Sequence, residues 1–253
     1  MLLDLLNLNI FAFFLVFARI GSAIAVMPGF SSLFVSARMR LALALTITFL
    51  LTPVLAGNLP AQPKSMIALV LLMAGEILIG AYLAMIARVL LGSLQTAGTL
   101  IAYSSSMANA MVNDPISEQQ SSTISGFLTT AGLVLIFVSD MHHLMLRAMV
   151  DSYTLFIPGQ GLPFGQLSDY LARQVADSFA LGLQMSAPFI IVGLTYYIGL
   201  GILGRLMPTL QVFFFGLPFQ LTAQIWVLTV SVSGILLVFM QKFQDVYTSY
   251  LTP

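Results

Sequence analysis

Arg19, Glu76 and Arg88 each stand inside a long apolar run. A charge at the centre of a bilayer costs at least about 2.5–3.5 kcal/mol, so such groups usually face protein or water. They either carry chemistry directly or form ion pairs within or between helices, and the structural ion pair is the favoured reading. Glu76 and Arg88 are twelve positions apart. On one straight helix they point about 120° away from each other, so they are not each other's partner. His142 and His143 follow Asp140, and a metal site is conceivable there. Adjacent helical residues project about 100° apart and chelate one metal poorly. A helix-end or polar-contact role suits them better.

No phosphate-cradling, dinucleotide-binding or nucleophile-elbow pattern occurs; Lys64, for example, follows Pro63 rather than a glycine. The chain has no cysteine, which excludes disulfides and thiolate metal sites. These absences point to a non-enzyme with no catalytic residue, no cofactor and no metal. The 14 Met residues are spread along the chain; they serve as core filler, or line an adaptable seal around a variable passenger.

The elements that position these residues are membrane helices. The chain is 59% hydrophobic and 7% charged, with zero net charge. A soluble domain carries about a quarter charged residues. Water cannot solvate a surface this poor in charge, and nothing points to nucleic acid. The opening "MLLDLLNLNIFAFF" has no basic residue before its apolar run, so it reads as a first membrane helix and not as a cleavable signal peptide. Apolar runs cover residues 10–28, 41–56, 66–94 and 124–139. About 20 residues of helix cross a bilayer. "MHHLMLRAMVDSY" extends the fourth run, and "FIPGQGLPFG" breaks it. Residues 167–177 read as an amphipathic helix, and residues 179–247 as two long runs broken at "RLMPTLQVFFFGLPFQ". Period-two alternation is absent, and backbone groups in lipid must pair within the segment, so the runs are helices.

The nine basic residues are scattered and assign no orientation. Gly199, Gly201 and Gly204 cluster, and Pro188, Pro208 and Pro218 interrupt the last third. Small residues permit close helix contact, and prolines break helices where protein satisfies the freed carbonyls. Two classes of function remain. A secondary transporter predicts two related halves, and no repeat is found. A subunit of a larger membrane assembly predicts charges without partners in the single chain, and it fits better.

Five blocks occur in the order of one family. They are "RIGSAIAVMPGFSSLFVSARMRLALALTITFLLTP", "GEILIGAYLAMIAR", "GTLIAYSSSMANAMVNDP", "HHLMLRAMVDSYTLFIPG" and "RLMPTLQVFFFGLPFQL". In them Arg19, Gly21, Pro28, Arg38, Arg40, Glu76, Gly80, Asp114 and Pro115 fall in the family's pattern. Over nearly its whole length the chain resembles the FliR family of flagellar type III export gate subunits. It is also similar to the homologous subunits of virulence injectisomes, though its length and short tail after Tyr250 look more flagellar. The resemblance implies an all-α membrane protein of bent helical hairpins. Residues 1–177 would be FliP-like and residues 178–253 FliQ-like. One copy completes a helical ring of FliP subunits with FliQ packed outside, FlhB at the entrance and FlhA beneath. Unfolded flagellar proteins pass through its centre, in the bacterial inner membrane within the flagellar basal body. Membrane lipid surrounds the assembly, and Arg19, Glu76 and Arg88 pair across its subunit interfaces.

The polar stretch at residues 104–123, "SSSMANAMVNDPISEQQSST", separates apolar runs. Its plain reading is an exposed loop. It is long for a connection, lacks Lys and Arg, and places Pro115 where it stops a helix after Asp114. Such a segment can fill a wet lumen without binding it tightly. The resemblance implies a plug that closes the channel at rest. Its residues are Tyr103, Ser104, Ser105, Ser106, Met107, Ala108, Asn109, Ala110, Met111, Asn113, Asp114 and Pro115, in a pore segment that extends to Gln119. Met107 and Met111, four apart, form the seal if they share a helical turn.

Overall fold

The structure is a computed structural model that describes residues 2–32, 35–107, 111–113, 120–207 and 212–251. The chain is an all-α membrane protein. The described helices are α1 (Leu2–Val26), α2 (Ala37–Leu55), α3 (Met66–Ser104), α4 (Thr123–Val138), α5 (His142–Leu155), α6 (Phe164–Leu206) and α7 (Val212–Leu251). A short antiparallel hairpin, β1 (Met111–Asn113) with β2 (Gln120–Ser122), stands between α3 and α4, with Met111 opposite Ser122.

Local chemistry sets the helix ends. Ser36 accepts the Met39 N–H at 3.3 Å and caps α2. After α2 a 3-10 turn (Ala56–Asn58) leads into an irregular stretch containing Pro60 and Pro63, neither of which can donate to a helix. Asp140 adopts φ 59° between α4 and α5 and ends the first helix; the two axes are bent by 72° there. Gly159 makes the turn into α6 at φ 88°.

Among the described residues four helices, α2, α3, α6 and α7, are long and apolar enough to cross a membrane, and the bent α4–α5 pair has the length and composition of a broken span or a re-entrant loop. Two expectations change. Residues 167–177 are no separate helix: they form the first turns of α6, which continues unbroken to Leu206. All of "VFFFGLPFQ" is also helical, since α7 begins at Val212 and takes in Pro218, just as α6 takes in Pro188. Membrane helices tolerate proline because neighbouring groups re-satisfy the freed carbonyls. Pro208 lies outside the described residues.

The chain folds into two compact units, and α3, α6 and α7 each contribute to both. The first is Met1–Val89, Phe137–Gln174 and Gln244–Pro253; its core holds Leu15, Ile20, Ile24, Met27, Met149 and Tyr153. The second is Leu90–Ile136 and Val175–Phe243; its core holds Leu90, Leu94, Ile101, Phe189 and Phe239. Much apolar surface stays uncovered. Only 11–22% of the most apolar window of each of the four spans is buried within the chain.

Candidate functional site

In the first unit the buried charges meet. α1 carries Arg19, and α3 carries Glu76 with Gly80 one turn further on. A side chain at Gly80 would collide with the carbonyl of Arg19 and the hydroxyl of Ser22, so glycine is what lets the two helices touch. That approach brings Arg19 Nε to Glu76 Oε2 at 2.6 Å. Arg19 Nη1 donates to Ser152 Oγ at 3.0 Å, and Nη2 to the Phe156 carbonyl at 2.9 Å, where α5 has just ended. The guanidinium also lies 3.9 Å from the centre of the Tyr153 ring. Arg19 is fully buried and Glu76 is 2% exposed. Each charge thus has a charge-assisted, directional partner in the low-dielectric interior.

Two of the three charges expected at subunit interfaces, Arg19 and Glu76, pair with each other inside the chain. Arg88 does not join them. It is exposed on α3 and has no acidic partner among the described residues.

In the second unit lies the root of the polar stretch. Ser104 is the last residue of α3. The Met107 N–H returns to the Ala102 carbonyl at 2.9 Å, and the Ser106 N–H to the Tyr103 carbonyl at 3.4 Å. With Ser106 at φ 58°, this is a Schellman helix stop with serine where glycine is usual. A non-glycine residue there costs about 1–2 kcal/mol. The serine side chain gains contacts in return. Ser106 Oγ donates to Gln220 Oε1 at 3.2 Å and lies 3.2 Å from the Tyr197 hydroxyl. Gln220 Nε2 donates to the Ser104 carbonyl at 2.8 Å and to the Tyr197 hydroxyl at 3.1 Å. Ser105 is buried and bonds back to the Ile101 carbonyl at 2.6 Å. Tyr103 is 67% exposed.

The far end is also tied down. Ser122 Oγ caps α4 by accepting the Ser125 N–H at 3.1 Å and donates to the Gly98 carbonyl at 3.4 Å. Ser125 Oγ reaches the Gln95 carbonyl at 3.2 Å, and Gly98 has the Ser125 backbone where a side chain would be.

The helical turn expected to join Met107 and Met111 runs through residues 108–110, which lie outside the described residues. α3 has already stopped at Ser104, and Met111 pairs in β1. Met107 lines a cavity of about 320 Å³ beside Ile124, Phe127 and Gln224. Ala108, Asn109, Ala110, Asp114, Pro115 and the residues up to Gln119 lie outside the described residues.

The Asp140, His142 and His143 side chains bring possible ligand atoms within 4.8 Å of one another. The two imidazoles face each other at 4.1 Å with 35° between their planes, and His142 stacks on Phe137 at 5.1 Å. Rings that share a metal converge edge-on, so this geometry is that of an aromatic stack at the α4–α5 bend, with Asp140 3.8 Å from His143 Nδ1.

The family model of bacterial export proteins, family 1, matches residues 10–246. The chain belongs to that family. The flagellar biosynthetic protein FliR of Caulobacter vibrioides is 33% identical over 231 residues, 91% of this chain and 92% of its own. That of Bacillus subtilis is 30% identical over 237 residues, 92% of this chain and 90% of its own. Yop proteins translocation protein T of Yersinia pestis is 25% identical over 224 residues, 87% and 85%. As an export-family protein the chain works with other export components in a membrane.

Sequence reasoning missed Tyr197, Gln220, Gln224, Ser152 and the Phe156 carbonyl. A signal did exist for two of them. Gln220 and Gln224 are one helical turn apart in an otherwise apolar run, and both are 2% exposed. Ser152 and Phe156 carry no such signal, since a serine and a backbone carbonyl occur everywhere.

Proposed function

We propose that the chain is a structural, pore-forming subunit of the flagellar type III export gate, passing unfolded flagellar proteins across the bacterial inner membrane within the basal body. The observation that carries this reading is the end-to-end likeness to flagellar FliR proteins, 33% identical over 91% of the chain. The flagellar reading is preferred to the injectisome one because the likeness to the Yersinia translocation protein falls to 25%. The mostly uncovered spans support a subunit role. So do Gly199, Gly201 and Gly204, which face open space where a neighbouring helix can approach.

Its partners in this reading are FliP and FliQ in one hetero-oligomeric gate, with FlhB and FlhA beside it. Residues 1–177 take the FliP-like place and residues 178–253 the FliQ-like place. The segment from Tyr103 to Gln119 occupies the pore as its resting plug. Arg88, exposed and without an acidic partner among the described residues, pairs at a subunit interface. No step of this work is catalysis.

Co-expression tests the reading. With FliP-like and FliQ-like partners the chain is recovered in one detergent-stable complex; alone it gives low yield and a heterogeneous size-exclusion profile. A monodisperse, protease-resistant monomer that ignores those partners overturns it.

A further inference from the structure

Tyr197 on α6 and Gln220 on α7 bond to the two serines at which the polar stretch leaves α3. With Ser106 donating to Gln220, and Gln220 donating to Tyr197, the tyrosine hydroxyl is left to donate to Ser106. Three side chains close a ring in which each donates once around the circuit, and such rings reinforce themselves. Gln220 is 2% exposed, so its amide has little access to competing water. Its second hydrogen goes to the Ser104 carbonyl, one of those that the end of α3 leaves without a helical partner.

Helix stopping alone does not explain this arrangement. A glycine at position 106 stops α3 with less strain. Serine there accepts an unfavourable backbone and contributes an oxygen to the ring. The side chain, not the turn, makes the contacts to α6 and α7.

We propose that Gln220 and Tyr197 are positioning residues that latch the root of the polar stretch to α6 and α7. The C-terminal helices thereby set the resting position of the stretch, and movement of α7 relative to α6 at this level releases it. This rests on the reading of residues 103–119 as the pore segment. The latch acts on where the segment starts and touches no passenger.

The test uses the assembled gate, purified with its partner subunits and reconstituted in planar bilayers without export substrate. Ser106→Gly keeps the helix stop and removes the latch oxygen. Tyr197→Phe removes one hydroxyl, and Gln220→Leu keeps the bulk and removes all three amide contacts. Each variant is expected to assemble in wild-type amount and to raise resting ion conductance. Gln220→Leu gives the largest rise, about tenfold, equivalent to about 1.4 kcal/mol lost from the closed state. Ser106→Gly combined with Tyr197→Phe leaks less than the two singles added together, because the two changes share the Ser106–Tyr197 contact. A merely structural role lowers the amount of complex and leaves conductance per complex unchanged, and that result overturns the latch. Deletion of residues 106–113 separates the two ideas. A leaky deletion with tight point variants overturns the latch and leaves the pore reading standing; a tight deletion overturns both.

Discussion

Gly80 on α3 meets the carbonyl of Arg19 on α1 with no room for a side chain between them. The contact decides whether Arg19 reaches Glu76. Gly80→Ala places a methyl group against backbone, which cannot rotate away. It is expected to destabilise the fold by at least about 1–3 kcal/mol, the usual cost of overpacking. Thermal unfolding of the purified protein in detergent measures this. A melting temperature equal to wild type would mean that α1 and α3 do not need this approach.

Removing one partner of the buried pair strands the other. Glu76→Ala leaves a guanidinium fully buried with only a serine and a carbonyl as neutral acceptors. A loss of about 3–5 kcal/mol is expected. Arg19→Lys is expected to fall between wild type and Arg19→Ala, because an ammonium cannot hold three separate acceptors and cover Tyr153 in one plane. The double change Arg19→Met with Glu76→Met should recover part of the loss. A double-mutant cycle on thermal unfolding reads the coupling; additive single changes would show the pair to be uncoupled.

Two glycines of the second unit should behave differently. Gly98 abuts the Ser125 main chain, whereas Gly132 abuts the tip of Leu94. A Leu tip can change rotamer and a helix backbone cannot. Gly98→Ala is therefore expected to cost more than Gly132→Ala, read as folded yield and protease resistance in detergent. The reverse order would mean that the Leu94 side is the more rigid.

Arg147 and Asp151, one turn apart on α5 at 3.6 Å, offer the contrast to Arg19. Arg147 is 73% exposed. Arg147→Ala should change stability by no more than about 0.5 kcal/mol, and salt should mask even that. A loss comparable to that of Glu76→Ala would place Arg147 in a buried contact.

Composition alone determined the class. With 7% charged residues the surface cannot be solvated, and backbone pairing in lipid forces the apolar runs into helices. Residues 41–56 and 66–94 were therefore legible as spans, close to α2 and the first part of α3. Five ordered blocks made the family legible too. The failures have physical causes. A helix end depends on capping that pattern does not encode: α3 runs on to Ser104 because Ser106, against its preference, takes the left-handed turn. Pro218 looked like a break, yet its missing N–H is absorbed within α7. Arg19 was visible as a buried charge, but its partner lies 57 positions away. Which acid lies opposite depends on how closely α1 and α3 pack, and Gly80 sets that distance only once both helices are in place. The same holds for Ser106 and Gln220, which are 114 positions apart. Residue type told which groups needed partners, because unpaired polar atoms in an apolar interior are costly everywhere. Only the packing of the helices decided which partners they found.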